Sequence, residues 1–167
     1  MKRFLFPLLA LLYLTGCSDS NTTLEQKLKE AVTEGEVDAK GYKTINLTEL
    51  TDFEWDKLYY FQPGEDKKII SDAIGFRWDG ATVEDGYRRL LFVKGQEVVS
   101  YTDYNYREFP LAVYGCRGDK WVYPSSRSTF ATFKYCSGDD KVYTFIPVAC
   151  IEDISELIAN KCPEKAA

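Results

Sequence analysis

The sequence predicts an α+β fold: an antiparallel sheet with peripheral helices, stabilised by disulfides in its C-terminal third. Three observations predict it. From Tyr42 onward, short runs rich in Tyr, Phe, Val and Trp are separated by Gly- and Asp-bearing turns, the signature of antiparallel strands. Segments with helical apolar spacing, beginning at Leu24, Glu65 and Ile151, place helices beside that sheet. Four cysteines, Cys116, Cys136, Cys150 and Cys162, crowd the end of the chain.

Leu24, Leu28, Ala31 and Val32 recur at i, i+4, i+7 and i+8. With Thr22 and Glu25 as a capping box and Gly35 as a stop, they predict an amphipathic helix over Leu24 to Glu34. Alternation over Tyr42 to Leu47 and the run Trp55 to Gln62 predict strands, closed by Pro63-Gly64. Glu65 to Ile74 reads as a second helix with Ile69, Ile70, Ala73 and Ile74 on one face and Gly75 at its end. Arg89 to Val93 and Glu97 to Tyr104, joined by Lys94-Gly95-Gln96, predict a hairpin. Cys116-Arg117-Gly118-Asp119-Lys120 and Cys136-Ser137-Gly138-Asp139-Asp140-Lys141 each precede an aromatic strand and predict two similar hairpin turns. A last helix carries Ile151, Ile154, Leu157 and Ile158. The expected organisation is a single globular domain over 24–162 and a loose tail over 163–167.

The chain begins with Lys2 and Arg3, an apolar run from Phe4 to Tyr13, and then Leu14-Thr15-Gly16-Cys17. At about 1.5 Å per residue that run crosses only about half of a ~30 Å hydrocarbon core, too little for a permanent membrane helix. Any secretory signal shares the charges and the short run, so the discriminating feature is the cysteine directly after glycine. Leu14 to Cys17 resemble the lipobox of a bacterial lipoprotein signal peptide. The resemblance implies that residues 1–16 are removed and that Cys17 carries several acyl chains, palmitate among them. Two or more chains anchor stably where one does not. Ser18, rather than aspartate, follows Cys17, which in lipoproteins of two-membrane bacteria implies the outer membrane, with the periplasmic face expected. Residues 17–23, polar from Ser18 to Thr23, then read as a lipidated tether.

Phe53 to Phe61, followed by Pro63, the helix over Ile69 to Gly75 and Leu91-Phe92-Val93-Lys94-Gly95, resembles a pattern of bacterial envelope lipoproteins. That resemblance implies the strand, helix, hairpin order and carries no functional residue.

About 150 residues remain after Cys17, enough for one domain with its own core. Loss of Lys2 and Arg3 leaves 19 basic against 26 acidic side chains, a formal charge of −7. That balance excludes nucleic acid as a partner, since phosphates need a basic face. It also excludes a polybasic grip on anionic lipid, so the membrane is reached through the anchor. In an exported chain, four cysteines read as two disulfides. Three pairings are open. A continuous helix over Ile151 to Asn160 would separate Cys150 from Cys162 by about 15 Å, beyond the ~7 Å limit between Cα atoms, so that pair requires a short or frayed helix. The spacings lack the close cysteine pairs of a thiolate zinc site, and no metal or cofactor is expected.

The chain contains no histidine, which removes histidine-based triads, zinc sites and proton relays. Asp79 with Glu84 or Asp85, or Asp139 with Asp140, are the carboxylate pairs from which glycoside hydrolysis could be built. Loop acids are commoner than catalytic ones, so no catalytic residue is assigned. Ser125-Ser126-Arg127-Ser128 reads as a loop. Arg117-Gly118-Asp119 spells an integrin-recognition tripeptide that a turn already explains. Tyr101, Tyr104, Tyr106, Arg107 and Tyr114 form a possible binding patch, because tyrosine and arginine enrich recognition surfaces. Core packing of the tyrosines is the competing reading. Tyr101 and Tyr104 are an odd number apart, so in a strand they face opposite ways.

The expectation is a lipid-anchored envelope binding protein without catalytic activity and with a protein partner. Its most specific form is an inhibitor or immunity-type lipoprotein acting on a cationic envelope enzyme or toxin. An accessory of an outer-membrane assembly and a carboxylate-dependent hydrolase are the alternatives.

Overall fold

The computed structural model describes residues 19–116, 118, 119, 121–137, 140–154 and 162. The signal peptide, Cys17 and the 163–167 tail lie outside the described residues, as do Asp139, Leu157 and Ile158.

The first helix, α1, covers Thr22–Thr33 and buries Leu24, Leu28 and Val32. Its cap is Asn21 rather than the expected Thr22, and Asn21 Oδ1 accepts the Leu24 N–H at 2.9 Å. Asparagine caps at least as well as threonine, so the helix starts two residues early. Ser20 and Asn21 are also fixed to the body. The tether reading therefore fails for Ser20 to Thr23. Strand β1 (Lys43–Asn46) runs into the single turn α2 (Leu47–Leu50), where Asn46 Oδ1 accepts the Thr48 N–H and hydroxyl.

Strand β2 (Lys57–Phe61) leads to helix α3 (Lys67–Ile74). Asp66 caps α3 by accepting the Lys68 and Ile69 N–H groups at 2.9 Å, and Gly75 ends it at φ +86°, a conformation that needs glycine. Only Ile70 and Ile74 of the expected apolar face are buried. Ile69, a further 100° round the helix, stays 46% exposed, a correction to the four-residue face.

The hairpin forms as β3 (Tyr87–Lys94) and β4 (Glu97–Asn105), with a bulge at Phe92/Val93. Then follow β5 (Leu111–Val113), β6 (Val122–Pro124), β7 (Thr129–Thr132), β8 (Lys134–Ser137) and β9 (Asp140–Pro147). A 3-10 helix, Val148–Ile154, stands where the last α-helix was expected to begin.

The strands make two sheets instead of one. Sheet one has the order β4-β3-β2-β6, all antiparallel. Sheet two has the order β1-β7-β9-β5, with β8 continuing β7 end to end along β9 and β5 parallel to β9. The composition is mostly β, so the α+β expectation holds in outline and the single all-antiparallel sheet does not. Of the two similar cysteine turns, only the second closes a hairpin, β8 to β9. The segment after Cys116 instead carries the chain from sheet two to sheet one.

Sheet one is covered on both faces, which explains why 58–61 and 90–93 within β2 and β3 read as continuous apolar runs. Leu58, Tyr60, Leu90, Phe92 and Tyr104 face a core shared with α1 and sheet two, where Phe130 stacks on Phe145 at 4.1 Å. Tyr59, Phe61, Leu91, Val93 and Tyr101 face a second core under α3 and Trp78. Arg89 is buried in that second layer. Its guanidinium donates to both Asp103 carboxylate oxygens at 2.7 Å and to the Ala81 carbonyl at 2.6 Å, and it lies over the rings of Tyr101 and Trp78.

The cysteines pair as Cys116–Cys150 and Cys136–Cys162, with Cα separations of 5.2 and 4.9 Å. This closes the choice among three pairings, and Cys150 to Cys162 is not used.

Candidate interaction site

The tyrosines singled out in the sequence divide between layers. Tyr101 lies in the α3-side core, against Trp78. Tyr104 is fully buried on the other face and donates its hydroxyl to the Leu111 carbonyl at 2.8 Å. Tyr106 and Tyr114 are half-buried, and Arg107 is exposed in the turn after β4. The five residues do not form one surface. The arginine that joins Tyr106 is Arg88, not Arg107, and its guanidinium lies 4.9 Å over the Tyr106 ring.

Beside Arg88 and Tyr106 stand Tyr60 of β2 and, tilted against it with ring centroids 5.5 Å apart, Trp121. Burial raises the Tyr60 hydroxyl pKa, and the nearby Arg88 and Tyr104 groups lower it in part. Burial also raises Tyr114, and Tyr135, Tyr106 and Tyr60 raise it further, although Tyr114 and Tyr135 pack in a separate cluster with Phe133 and Ile146. Tyr104 and Tyr123 are raised as well, burial again being the main cause. Phenols with raised pKa stay protonated at neutral pH. They serve as hydrogen-bonding rings and not as bases.

Trp121 is the residue that sequence reasoning missed. It is 40% exposed and sits at φ +57°, a left-handed conformation that costs a non-glycine residue about 1 kcal/mol. The loop that carries it is held at several points. Cys116 is bonded to Cys150 at one end, and Gly118 turns the chain at φ +91°. The Asp119 carboxylate accepts from both terminal nitrogens of Arg127, at 3.2 and 3.3 Å, and from the Cys116 N–H at 3.3 Å. At the other end the Trp121 carbonyl accepts the Tyr60 N–H at 3.1 Å. Asp119 is thereby engaged inside the molecule, against the adhesion reading of its tripeptide. Only tryptophan's general preference for recognition surfaces could have flagged Trp121, since neither its φ nor its exposure has a sequence pattern.

The remaining candidates are dispersed. Asp79 is bound by Arg77 at 2.9 Å, both side chains well exposed. Glu84 and Asp85 are exposed, and the Asp139 and Asp140 pair falls partly outside the described residues. Cys116, Asp119 and Cys150 lie close enough together to suggest a metal, but the two sulfurs are joined in a disulfide and offer no thiolate. An open depression along α3, lined by Lys67, Lys68, Ser71, Arg77, Trp78 and Asp79, has two of its three cations, Lys68 and Arg77, already paired to Asp72 and Asp79.

Residues 1–18 match the prokaryotic membrane lipoprotein lipid attachment site. The chain is a bacterial lipoprotein, held on a membrane of the cell envelope by the lipid on Cys17. Among the described residues no helix is long and apolar enough to cross a membrane. No curated protein and no solved structure matches the chain, so the envelope-lipoprotein likeness of the Phe53 to Gly95 stretch rests on the sequence alone.

Proposed function

We propose that this lipoprotein is a non-enzymatic binding protein of the inhibitor or immunity type, displayed on the periplasmic face of the outer membrane and directed at a cationic envelope enzyme or toxin. The observation that carries the reading is Trp121: a large aromatic held exposed, in a strained backbone conformation, on a loop fixed by a disulfide and a two-point ion pair. Strain of that kind persists where the surroundings over-determine it, and it concentrates at functional sites. Tryptophan, tyrosine and arginine are the residues that dominate binding hot spots, and Trp121, Tyr60, Arg88 and Tyr106 are all present here. The formal charge of −7 after processing adds long-range attraction for a basic partner. The absence of histidine and the protonated state of the clustered phenols support binding over turnover.

Affinity capture from detergent-solubilised membranes with the native lipidated protein tests this, with Cys17→Ala as the unanchored control. Recovery of one basic hydrolase or toxin is the expected result, and it should then be inhibited in an activity assay. Recovery only of stoichiometric outer-membrane components would assign the accessory role instead. Turnover of peptidoglycan fragments that is lost on changing one aspartate would replace binding by hydrolysis.

A further inference from the structure

The first described residues are tied along the outer edge of β4, the edge strand of sheet one. The Asn21 N–H donates to the Tyr101 carbonyl at 2.7 Å, and the Asn21 carbonyl accepts the Thr102 hydroxyl at 3.0 Å. The Asn21 side-chain amide donates to the Ser100 hydroxyl at 3.2 Å, and Ser20 Oγ accepts the Asp103 N–H at 2.8 Å. Asp103 is in turn held by buried Arg89. These bonds satisfy donors and acceptors that an unpaired edge strand would expose, and they fix the point at which the chain leaves the body.

That point is three peptide units from the lipidated cysteine. At about 3.8 Å per unit, Cys17 and Ser20 lie at most roughly 11 Å apart, less than the ~14 Å radius of gyration expected for a domain of this size. A link that short cannot lift the body clear of the bilayer, nor let the opposite side of the domain turn down onto it. Sheet one places β6, with Trp121 just before it, three strands across from β4, a distance of about 14 Å at ~4.8 Å per strand.

We infer that the β4 edge, together with the first turn of α1, is a lipid-facing surface of this protein. It is held against the headgroups by its short link, and the Trp121 edge is thereby turned away from the membrane. The occupant of the β4 edge is the bilayer that carries the anchor. Attraction between charges is not the cause, since the acids Glu25, Glu108 and Asp103 stand together at this edge; the Glu25 pKa is raised by burial, lowered in part by Lys29 and raised again by Glu108 and Asp103. Proximity is set by chain length, so zwitterionic and mixed anionic bilayers should give the same orientation.

The test uses the full lipidated protein in vesicles of phosphatidylethanolamine, with and without phosphatidylglycerol. A nitroxide is placed on Thr23→Cys, exposed at the start of α1, or on Ser126→Cys, exposed beyond β6. A label stoichiometry of one confirms that the native disulfides survive. Relaxation by a water-soluble and by a headgroup-bound paramagnet then ranks the depth of each site. The expected result is strong headgroup relaxation at Thr23 and water-like relaxation at Ser126, in both lipid mixtures. Insertion of ten Gly/Ser residues between Asp19 and Ser20 should abolish the difference. Equal relaxation at the two sites in the parent, a Ser126 label closer to the headgroups, or an insertion without effect would each overturn the inference. None of these outcomes depends on which partner Trp121 meets, so the orientation stands or falls separately from the binding reading.

Discussion

Arg89 and Arg88 are neighbours in β3, and alternation sends them to opposite faces of sheet one. The adjacent pair reads in the sequence as two polar positions at a strand end. Its two roles became visible only when both faces proved to be covered: Arg88 at the half-exposed ring cluster, Arg89 fully buried with Asp103. Arg89→Ala would leave the largely buried Asp103 without its cation, and breaking a buried pair costs about 3–5 kcal/mol. Urea unfolding should show that loss as a lower midpoint at unchanged slope. A loss under about 1 kcal/mol would mean that the pair is solvated. Thr132 is the opposite case. Among the described residues its buried hydroxyl has no hydrogen-bond partner, so Thr132→Val should stabilise the protein by about 1 kcal/mol in the same assay.

The β3–β4 hairpin was legible because its turn chemistry and apolar runs are local, and α3 because of its apolar spacing and Gly75, although Asp66, expected inside the first turn, is its cap. β5 and β6 were not. Three-residue strands carry no register information, and nothing in Leu111–Val113 or Val122–Pro124 says which sheet each joins. The loop between them is the element on which the binding reading depends, and it makes two predictions. Trp121→Gly relieves about 1 kcal/mol of backbone strain while losing a ring contact with Tyr60 of about 0.5–1.5 kcal/mol. Its stability should therefore stay within about 1 kcal/mol of the parent by thermal unfolding, even though a tryptophan is deleted. Non-reducing peptide mapping should recover Cys116 joined to Cys150 and Cys136 joined to Cys162. The double change Cys116→Ser with Cys150→Ser should cost about 2–4 kcal/mol. A Cys150 to Cys162 peptide would contradict the loop's construction.

At the scale of the whole molecule, the lipid anchor was legible and the task was not. A lipobox is read as a linear string, so Leu14 to Cys17 suffice to anchor the chain. The proposed binding surface is assembled from residues far apart in sequence, Tyr60, Arg88, Tyr106 and Trp121, and only Tyr106 among them belonged to the patch expected from the sequence. That expectation followed a tyrosine-rich stretch along one strand, whereas the fold splits such a stretch between two faces. The acidic charge and the lack of histidine narrow the class of activity without choosing the partner. The central claim is that Trp121, presented on its fixed loop, makes the contact that matters. The most direct measurement is a titration of the captured partner against the native lipidated protein and against Trp121→Ala, with folding of the variant checked by its unfolding midpoint. The account predicts a loss of at least about 2 kcal/mol, roughly 30-fold in Kd, as expected for an aromatic hot spot. Equal affinity of the folded variant would contradict it.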